Sequence, residues 1–286
     1  VFVIISRKRK VSQEVGVMIR VVVNGAAGRM GRMIVSGVAS DPELQLAGAV
    51  ERPDHPLIGR DAGEVAGVGN LGVKISPDTE LKRILAEADV AIEFTTPEAT
   101  LEHLKVAVEL GKPMVIATTG YTPQQREELE RLANRIPSVV APNMSVGVNL
   151  LLRLVEEAAK ALGDDYDVEI IEAHHNRKKD SPSGTALRIA EVIARALGRD
   201  LDKVAVYGRK GMVGERRREE IGIHAVRGGD IVGDHIVMFA GQGERIEIVH
   251  RAHSRETFAR GALRAAKWVV NAPRGMHDIG EVLFGD

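Results

Sequence analysis

The densest group of residues that could do chemistry is the stretch 174–179, which holds two histidines, two lysines and an arginine. An apolar run at 167–172 precedes it and predicts a strand, and Ser183 opens a predicted helix after it. A helix start offers free backbone N–H groups and the positive end of a dipole to an anion. A histidine can also donate a proton near neutral pH. The segment therefore predicts a pocket for a substrate that carries carboxylates.

Three other interpretations compete for this segment. A metal site needs a third ligand, and the adjacent residues His174 and His175 point in opposite directions on an extended chain, so we expect no metal. A basic loop that faces solvent stays open as an alternative. Nucleic-acid binding is not expected, because the formal net charge is -1 and only 3% of residues are aromatic. A second pair, His250 and His253, lies at a predicted strand and is expected to be structural.

A glycine-rich turn at 25–31 (GAAGRMG) follows the apolar run 19–23. In a dinucleotide-binding turn one glycine allows a sharp bend, one lets the backbone approach a pyrophosphate, and one permits close contact between helix and strand. The spacing GxxGxxG is only moderately specific, because a turn that merely tightens packing would show it too. The turn predicts a site for NADH or NADPH.

Charged and hydroxyl residues at other strand ends support the cofactor interpretation. Glu51 ends a predicted strand, 20 residues after Gly31, where an acidic side chain meets the ribose hydroxyls of the adenosine. Arg52 could pair with a 2′-phosphate, so the two residues predict tolerance of both NADH and NADPH. The threonines of segments 94–97 and 117–120 are expected at the same carboxyl edge of the sheet. Small hydroxyl side chains there suit the ribose and the amide of a nicotinamide. The alternatives are that Glu51 and Arg52 are solvated charges at a strand end, and that the threonines are ordinary helix caps.

Strands and helices alternate along the first half of the chain, which predicts an α/β fold with a Rossmann-like doubly wound parallel sheet. The predicted strands are 19–23, 44–50, 89–94, 113–117 and 137–141. Helices at 147–162 and 184–197, with short alternating strands over 203–253, predict a second α+β domain with a mixed or antiparallel sheet. A last helix at about 256–271 is expected to pack back onto the first domain.

The predicted domain boundaries follow from this change of pattern. We expect a dinucleotide-binding domain at 18–145, a substrate-binding domain at 146–256, and a C-terminal segment at 257–286 that returns to the first domain. Residues 1–17 place an apolar run before four basic residues, the reverse order of a secretory signal. That run is too short to span a bilayer, and we expect the extension to be dispensable.

The composition is that of a globular protein, with 44% hydrophobic and 28% charged residues among 286. The chain contains no cysteine, which excludes disulfides and thiolate chemistry and favours a reducing cytoplasm. The nearly neutral charge gives no electrostatic reason to expect membrane binding.

The chain resembles the dihydrodipicolinate reductase family, in segments that run in the family's order from residue 18 onward. The block HHxxKxDSPSGTA is highly specific, whereas GxxGxxG alone is not. The matching segments are VNGAAGRMGR (23–32), AVER (49–52), FTTPEATLEHL (94–104), VIATTGY (115–121), APNMSVGVN (141–149), EAHHNRKKDSPSGTAL (172–187), GERRREEIGIHAVRGGDIVGDH (214–235) and GERIEIVHRAHSRETFARGAL (243–263).

The resemblance implies NAD(P)H-dependent reduction of 4-hydroxy-tetrahydrodipicolinate in diaminopimelate and lysine biosynthesis, by a homotetramer assembled through the second sheet. It implies that His174 is the principal proton donor and that Lys178 assists it and binds substrate. It implies that His175, Gly184 and Thr185 hold the substrate carboxylates. The residues that it places along the cofactor are Gly25, Ala26, Ala27, Gly28, Arg29, Met30, Glu51, Arg52, Ala117, Thr118, Thr119, Ala141, Pro142, Asn143 and Met144.

Two other functions share part of this pattern. One is another two-domain NAD(P) dehydrogenase, such as an enzyme that acts on aspartate, and the other is a module that senses NAD(P) without chemistry. The block HHxxKxDSPSGTA favours the reductase over the first. A sensor is expected to lack His174 or Lys178, and both are present.

Overall fold

The structure, a computed structural model, describes residues 18–285, so the expectation about residues 1–17 lies outside the described residues. Apolar runs form most of the strands, because an extended chain buried on both faces favours continuous Val, Ile and Ala. The strands are β1 (Ile19–Asn24), β2 (Leu44–Glu51), β3 (Ile75–Pro77), β4 (Val90–Glu93), β5 (Met114–Ile116), β6 (Pro137–Val140), β7 (Asp167–His174), β8 (Ala205–Tyr207), β9 (Ile221–Arg227), β10 (Gly233–Ala240), β11 (Arg245–Ala252) and β12 (Gly275–His277).

Most of the helices begin after a hydroxyl or carboxylate side chain that caps the first turn. Thr96, Thr122, Ser145 and Ser183 each accept a hydrogen bond from a backbone N–H of the helix that follows. The helices are α1 (Arg29–Ser40), α2 (Ala62–Ala66), α3 (Leu81–Ala86), α4 (Pro97–Leu110), α5 (Pro123–Ala133), α6 (Val146–Leu162), α7 (Gly184–Ala196), α8 (Leu201–Val204), α9 (Glu256–Val269) and α10 (Ile279–Phe284).

The first sheet is parallel throughout and, within the described residues, has seven strands in the order β12-β6-β5-β4-β1-β2-β3. The chain runs outward from β1 to β3 and then returns to place β4 on the other side of β1. The strand order therefore reverses between β1 and β4, and ligands bind at the carboxyl ends of strands at such a point. This arrangement confirms the predicted doubly wound sheet.

Apolar layers cover both faces of the first sheet. On one face α1 and α9 pack side chains such as Ile34, Val38 and Ala262 against the sheet. On the other face α3, α4 and α5 contribute Leu85 and Leu104 among others. Burial of these side chains stabilises the fold by roughly 25 cal/mol per Å² of apolar surface removed from water. The packing of α9 against α1, β4 and β5 brings the start of that helix beside the cofactor turn.

The second sheet is mixed, with the order β11-β10-β7-β9-β8 in the described residues. β7, β8 and β9 run parallel, whereas β10 is antiparallel to both of its neighbours. Helices α6 and α7 cover one face, where alternate residues such as Ile170, Val237 and Phe239 are buried. The opposite face carries Ile171, Ile236 and other apolar side chains without a covering helix among the described residues.

The sequence analysis did not predict the short strand and helix at the end of the chain. Strand β12 adds to the first sheet beside β6, and α10 follows it, although the predicted sheet ended with β6. Segments of three to six residues are too short to show a helical or alternating period, so only long-range pairing reveals them. The predicted last helix, 256–271, is α9 and ends at Val269.

Candidate active site

Strand β7 delivers a carboxylate and a histidine to the same place. Residues two apart on a strand face the same side, so Glu172 and His174 lie together at the end of β7. The Nδ1 atom of His174 is 2.6 Å from Oε2 of Glu172. Glu172 is fully buried, and the His174 side chain is 12% exposed. Glu172 thus occupies one ring nitrogen and fixes the ring, which makes Nε2 the nitrogen available to a substrate.

Two further groups hold Glu172 in the ionised state. Arg227, paired with His174 across β7 and β9, donates from both terminal nitrogens to the two carboxylate oxygens at 2.8 Å. The backbone N–H of Ser183 donates to Oε1 at 2.9 Å. Burial alone would raise the pKa of Glu172, but the bonds from Arg227, His174 and Ser183 outweigh it and keep that pKa below its ordinary value.

A third histidine packs against the first. The ring of His235, on β10, meets the ring of His174 edge-on with centroids 5.3 Å apart. Its Nε2 atom lies 3.3 Å from the hydroxyl of Ser183. Burial, together with the nearby rings of His174 and His250, lowers the pKa of His235 to about 4. His235 is therefore uncharged at neutral pH and adds no positive charge beside His174.

The predicted substrate residues line a cavity of about 890 Å³ beside His174. His175, Lys178, Gly184 and Thr185 all contribute to its wall. The ammonium group of Lys178 is 2.9 and 2.7 Å from the carboxylate oxygens of Asp180. Burial and then the charge of Arg255 lower the pKa of His175, which favours its neutral form. This wall offers an ammonium group, imidazoles, a hydroxyl and a helix start to an anionic ligand.

The glycine turn after β1 is packed closely against the neighbouring backbone at two of its glycines. Gly25 has a φ of 77°, and a Cβ there would lie 2.8 Å from the carbonyl oxygen of Phe94. A Cβ on Gly31 would lie 2.1 Å from the carbonyl oxygen of Gly25, so only glycine permits this contact between helix and turn. Gly28, the residue before α1, makes no side-chain hydrogen bond to the helix, and the first turn of α1 contains no acidic residue. The free N–H groups and the dipole of α1 therefore remain available for a pyrophosphate.

Glu51 lies where the sequence predicted it, beside the turn. Its Oε2 accepts a hydrogen bond from the backbone N–H of Ala27 at 3.2 Å, and its Oε1 accepts one from Arg52 N–H at 3.1 Å. The Arg52 guanidinium is 3.5 Å from Asp54, and both side chains are largely exposed. Such an exposed pair is worth less than about 1 kcal/mol, so Arg52 remains free to bind a phosphate instead.

The remaining cofactor residues divide between a cavity wall and the protein interior. A cavity of about 300 Å³ adjoins the glycine turn, and its lining includes Arg29, Met30, Ala117, Thr119, Pro142, Asn143 and Met144. Met144 is almost fully buried and its carbonyl lies against Gly261 of α9. The hydroxyl of Thr118 instead faces inward and accepts a hydrogen bond from the Thr95 N–H at 3.2 Å.

The two cavities adjoin each other. Thr119, Pro142 and Asn143 belong to the walls of both. Asn143 also donates from its amide to the Thr185 hydroxyl at 3.3 Å, which links the wall of the smaller cavity to that of the larger one. A ligand in the smaller cavity and a ligand in the larger one would therefore meet near Asn143.

Several residues of the site escaped the sequence analysis. Glu172 lay within the quoted motif, and its position two residues before His174 on a strand was the signal that could have identified it. Arg227 and His235 come from other strands, and no local pattern connects them to His174. Arg255 and Phe258, at the start of α9, line both cavities. Both residues lie at the start of the predicted last helix, and amphipathic spacing alone does not distinguish a core residue from a cavity wall.

No group of three or more His, Asp or Glu residues within 18–285 could hold a metal ion. In the same range, no helix is both long and apolar enough to cross a membrane.

The reversed strand order, the glycine-rich turn and the cavity beside a carboxylate-held histidine are together typical of a nicotinamide-dependent oxidoreductase. Two family models then match this chain: "Dihydrodipicolinate reductase, N-terminus" over residues 19–144, and "Dihydrodipicolinate reductase, C-terminus" over residues 147–283. The chain belongs to the dihydrodipicolinate reductase family.

Similar proteins agree with this assignment. A 4-hydroxy-tetrahydrodipicolinate reductase of Citrifermentans bemidjiense is 53% identical over 266 residues, which cover 93% of this chain and 99% of the relative. A protein of the same name from Trichlorobacter lovleyi is 55% identical over 93% of this chain and 99% of its own length. A dihydrodipicolinate reductase of a Paenisporosarcina species, solved with dipicolinate bound, has a TM-score of 0.72 and 26% identity over 91% of this chain and 97% of that chain.

Another solved structure shares the fold alone. An amine dehydrogenase of Mycobacterium smegmatis has a TM-score of 0.56 and 16% identity, and the match covers 91% of this chain and 95% of that chain. A two-domain dehydrogenase of another specificity was one of the alternatives open from the sequence, and the family match decides against it.

Proposed function

We propose that the joined cavities reduce 4-hydroxy-tetrahydrodipicolinate to tetrahydrodipicolinate, with His174 as proton donor and NADH or NADPH as reductant. The observation that carries this proposal is the meeting of two walls at Asn143, one beside the glycine turn and one beside His174. When bound, the nicotinamide would supply hydride to the conjugated C=C–C=N ring, which forms when the substrate loses its 4-hydroxyl as water. Reactants held in contact need little further ordering, which supplies much of the rate.

Four residues account for binding of the dicarboxylate. Lys178 would attract one carboxylate by charge, and His175 would donate a hydrogen bond to it. Gly184 and Thr185 begin α7, and their N–H groups together with the Thr185 hydroxyl would hold a carboxylate at the positive end of the helix. Ser183 caps the helix through its own side chain and donates its N–H to Glu172, so the same turn also fixes the general acid.

Proton delivery falls to His174. Hydride addition to a conjugated imine leaves negative charge on the ring, which a proton from Nε2 of His174 would remove. Glu172 holds the Nδ1–H, orients the ring and stabilises the positive charge that His174 carries before it donates. Lys178 adds positive charge on the same wall and would stabilise the developing anion.

The cofactor would lie along the turn of residues 25–31. The backbone of Gly25 to Met30 would hold the pyrophosphate, and Glu51 would accept hydrogen bonds from the adenosine ribose hydroxyls. Thr119, Pro142 and Asn143 would place the nicotinamide against the substrate, as part of the wall that includes Ala117, Ala141 and Met144. Thr118 would support the cofactor cleft from the protein interior, because its hydroxyl faces inward and bonds to the backbone of Thr95.

A coupled assay tests the reaction. Purified protein receives freshly generated 4-hydroxy-tetrahydrodipicolinate, and oxidation of NADH and of NADPH is followed separately by absorbance. We expect oxidation with both cofactors only when the substrate is present. A folded protein that binds the reduced cofactor yet oxidises neither would contradict the proposed reaction.

Arg52 is expected to govern the choice of cofactor. We propose that both NADH and NADPH are used, because Glu51 suits the ribose hydroxyls and Arg52 suits a 2′-phosphate. The variant Arg52→Ala should raise the KM for NADPH about tenfold and leave the KM for NADH within about twofold, as expected for one charge-assisted contact. Steady-state kinetics with each cofactor measures both values. Asp54→Ala is the control, since it frees Arg52 from its exposed partner and should not weaken NADPH binding.

We also propose a homotetramer that forms through the second sheet. The face opposite α6 and α7 carries Ile171, Ile236 and Val249, and Val249 is 41% exposed. Contiguous apolar side chains on a sheet face are typical of subunit interfaces. Light scattering should give a mass about four times that of the 30.9 kDa chain.

A charge on the open face should dissociate the assembly. Val249→Glu is expected to lower the mass toward that of smaller species, because it introduces a carboxylate into the proposed interface. The matched control is Leu150→Glu, at an apolar residue of α6 that is 43% exposed on the other side of the sheet. Equal masses for the two variants and the unaltered chain would argue against this interface.

The domain division is part of the same proposal. We infer that residues 18–145 bind the cofactor, residues 146–256 bind the substrate and mediate assembly, and residues 257–286 complete the first unit through α9 and β12. The cysteine-free sequence supports a cytoplasmic location, which cell fractionation would check. We propose that residues 1–17 are dispensable, and their deletion should leave kcat unchanged.

A further inference from the structure

A group of polar side chains is buried beneath the carboxyl ends of β1, β4 and β5. Its centre is Glu93, the last residue of β4, which is fully buried, and its neighbour on α4 is His103, which is 6% exposed. Four further residues complete this group, which we call the buried polar cluster. They are Asn24, Thr95, Thr100 and Thr118.

Glu93 connects β1 to α4 through one carboxylate oxygen. Its Oε2 accepts a hydrogen bond from the Asn24 amide at 2.7 Å and lies 2.9 Å from Nδ1 of His103. Asn24 is the last residue of β1 and directly precedes Gly25 of the cofactor turn. A shift of Glu93 would therefore be transmitted to the start of that turn.

The other carboxylate oxygen contacts Thr95 directly and is connected to the end of β5 only through neighbouring threonines. Oε1 of Glu93 accepts a hydrogen bond from the Thr95 hydroxyl, one residue beyond the cavity wall at Phe94. Thr100 donates its hydroxyl to the Thr118 hydroxyl at 2.8 Å, and Thr118 also accepts from the Thr95 N–H. Thr118 lies between Ala117 and Thr119, which both line the smaller cavity. Direct hydrogen bonds thus join the ends of β1 and β4 to Glu93, and Thr95 and Thr100 extend the connection to the end of β5.

The cluster is costly in an otherwise apolar layer. It adjoins Leu101, Leu104 and other buried residues of α4, and burial of ionised groups is weak support for stability. Burial alone would lower the pKa of His103, but Glu93 and then Asp78 outweigh it and raise that pKa, which favours the protonated ring. The Oδ2 atom of Asp78 lies 3.8 Å from Nε2, the other ring nitrogen of His103. A charged pair held at such a cost is expected to fix a geometry.

We propose that Glu93 and His103 are positioning residues for the nicotinamide cofactor, holding the strand ends of β1, β4 and β5 in the arrangement that binds it. This inference rests on the proposed function, because it assumes that the smaller cavity is the cofactor cleft. Neither side chain belongs to the walls of the cavities, so each acts through Asn24, Thr95 and Thr118.

Three substitutions test the pair. Glu93→Gln keeps the size of the side chain and removes the charge, and His103→Leu removes the ring nitrogens. His103→Asn keeps a donor near the position of Nδ1 and should rescue binding. We expect Glu93→Gln and His103→Leu to raise the dissociation constant for NADH about tenfold, while His103→Asn stays within about threefold.

The readouts separate positioning from general damage. Calorimetric titration with NADH gives the dissociation constant, and steady-state kinetics should show a raised cofactor KM with kcat and the substrate KM within about twofold. Glu281→Gln is the matched control, because it breaks a comparable His–Glu contact, 2.7 Å from His277, away from the cofactor turn. Thermal unfolding of every variant reports loss of stability, and Glu93→Gln keeps the test valid if His103→Leu does not fold.

A pH series gives a second readout. The charged groups that act on His103 are Glu93 of β4 and Asp78 of the turn before α3, and the Tyr121 phenol lies near the same cluster. A histidine with a raised pKa contributes at low pH and loses its contribution as pH rises through that pKa. NADH binding to the unaltered chain should therefore weaken as pH rises, and binding to His103→Asn should depend less on pH.

The results distinguish failure of the positioning role from failure of the proposed function. Weakened NADH binding in Glu93→Gln, with rescue in His103→Asn and no change in Glu281→Gln, supports the inference. Variants that bind NADH as tightly as the unaltered chain overturn it while the proposed reaction stands. Failure of the unaltered chain to bind or oxidise NADH and NADPH would instead refute the proposed function.

Discussion

Substitution of His174 by glutamine is expected to lower kcat about a thousandfold, within the range that a positioned general acid contributes. Glutamine can still donate a hydrogen bond but cannot release a proton near neutral pH. The dissociation constant for NADH should stay within about twofold, since His174 lines the larger cavity and is not part of the cofactor wall. A selective loss of kcat is the expected signature of a group that acts in the chemical step.

The experiment compares three histidines in the same assay. His175→Gln should raise the substrate KM more than it lowers kcat, because His175 lies in the binding wall without a carboxylate partner like Glu172. The control His253→Gln changes an exposed histidine outside the cavity walls and should behave like the unaltered chain. A kcat for His174→Gln within about threefold of the unaltered value would exclude His174 as the proton donor.

Much of this site followed from local sequence signals. The turn 25–31 could be predicted because its glycines recur at fixed positions, and Gly25 and Gly31 make the close backbone contacts expected of such a turn. The segment from His174 to Thr185 was identifiable because charge and a helix start occur together after an apolar strand. The first sheet was predictable for the same reason, since each long strand carries its own apolar run.

The contacts that give the site its chemistry depend on distant parts of the chain. Arg227 reaches Glu172 only because β9 pairs with β7, 55 residues away in sequence. Strand β12 pairs with β6 of the first sheet, although the whole second sheet lies between them in the sequence. Phe258 likewise follows the second sheet in the sequence and yet lines the smaller cavity. Nothing in the spacing of a sequence records such pairings, so the contact of Arg227 with Glu172 and that of His103 with Glu93 could be identified only from the structure.

Removal of the charge on Glu172 should be the second most damaging change. Glu172→Gln is expected to lower kcat about a hundredfold, because His174 loses the carboxylate that orients its ring and stabilises its charged form. It should also cost about 2 kcal/mol of unfolding free energy, because Arg227, which is 21% exposed, loses its charged partner. Circular dichroism during urea unfolding measures the second effect, and the assay measures the first.

The pH dependence of stability gives an independent check on the same carboxylate. The pKa of Glu172 lies below its ordinary value of 4.5 in the folded chain. A carboxylate with a lowered pKa stabilises the fold above its unfolded pKa, and this contribution is lost as pH falls through the folded pKa. Unfolding free energy should therefore fall more steeply below about pH 4.5 in the unaltered chain than in Glu172→Gln. Parallel curves would mean that Glu172 is not held ionised by Arg227.

The double variant Glu172→Gln/Arg227→Met separates stability from catalysis. Methionine removes the unpaired guanidinium that the single variant leaves half-enclosed, and neutral side chains of similar size often replace a buried ion pair without loss of stability. We therefore expect the double variant to regain most of the lost unfolding free energy while kcat stays about a hundredfold below that of the unaltered chain. Recovery of both together would show that Glu172 acts on the reaction only through the stability of the fold. Recovery of stability alone would identify Glu172 as the residue that prepares His174 to donate its proton.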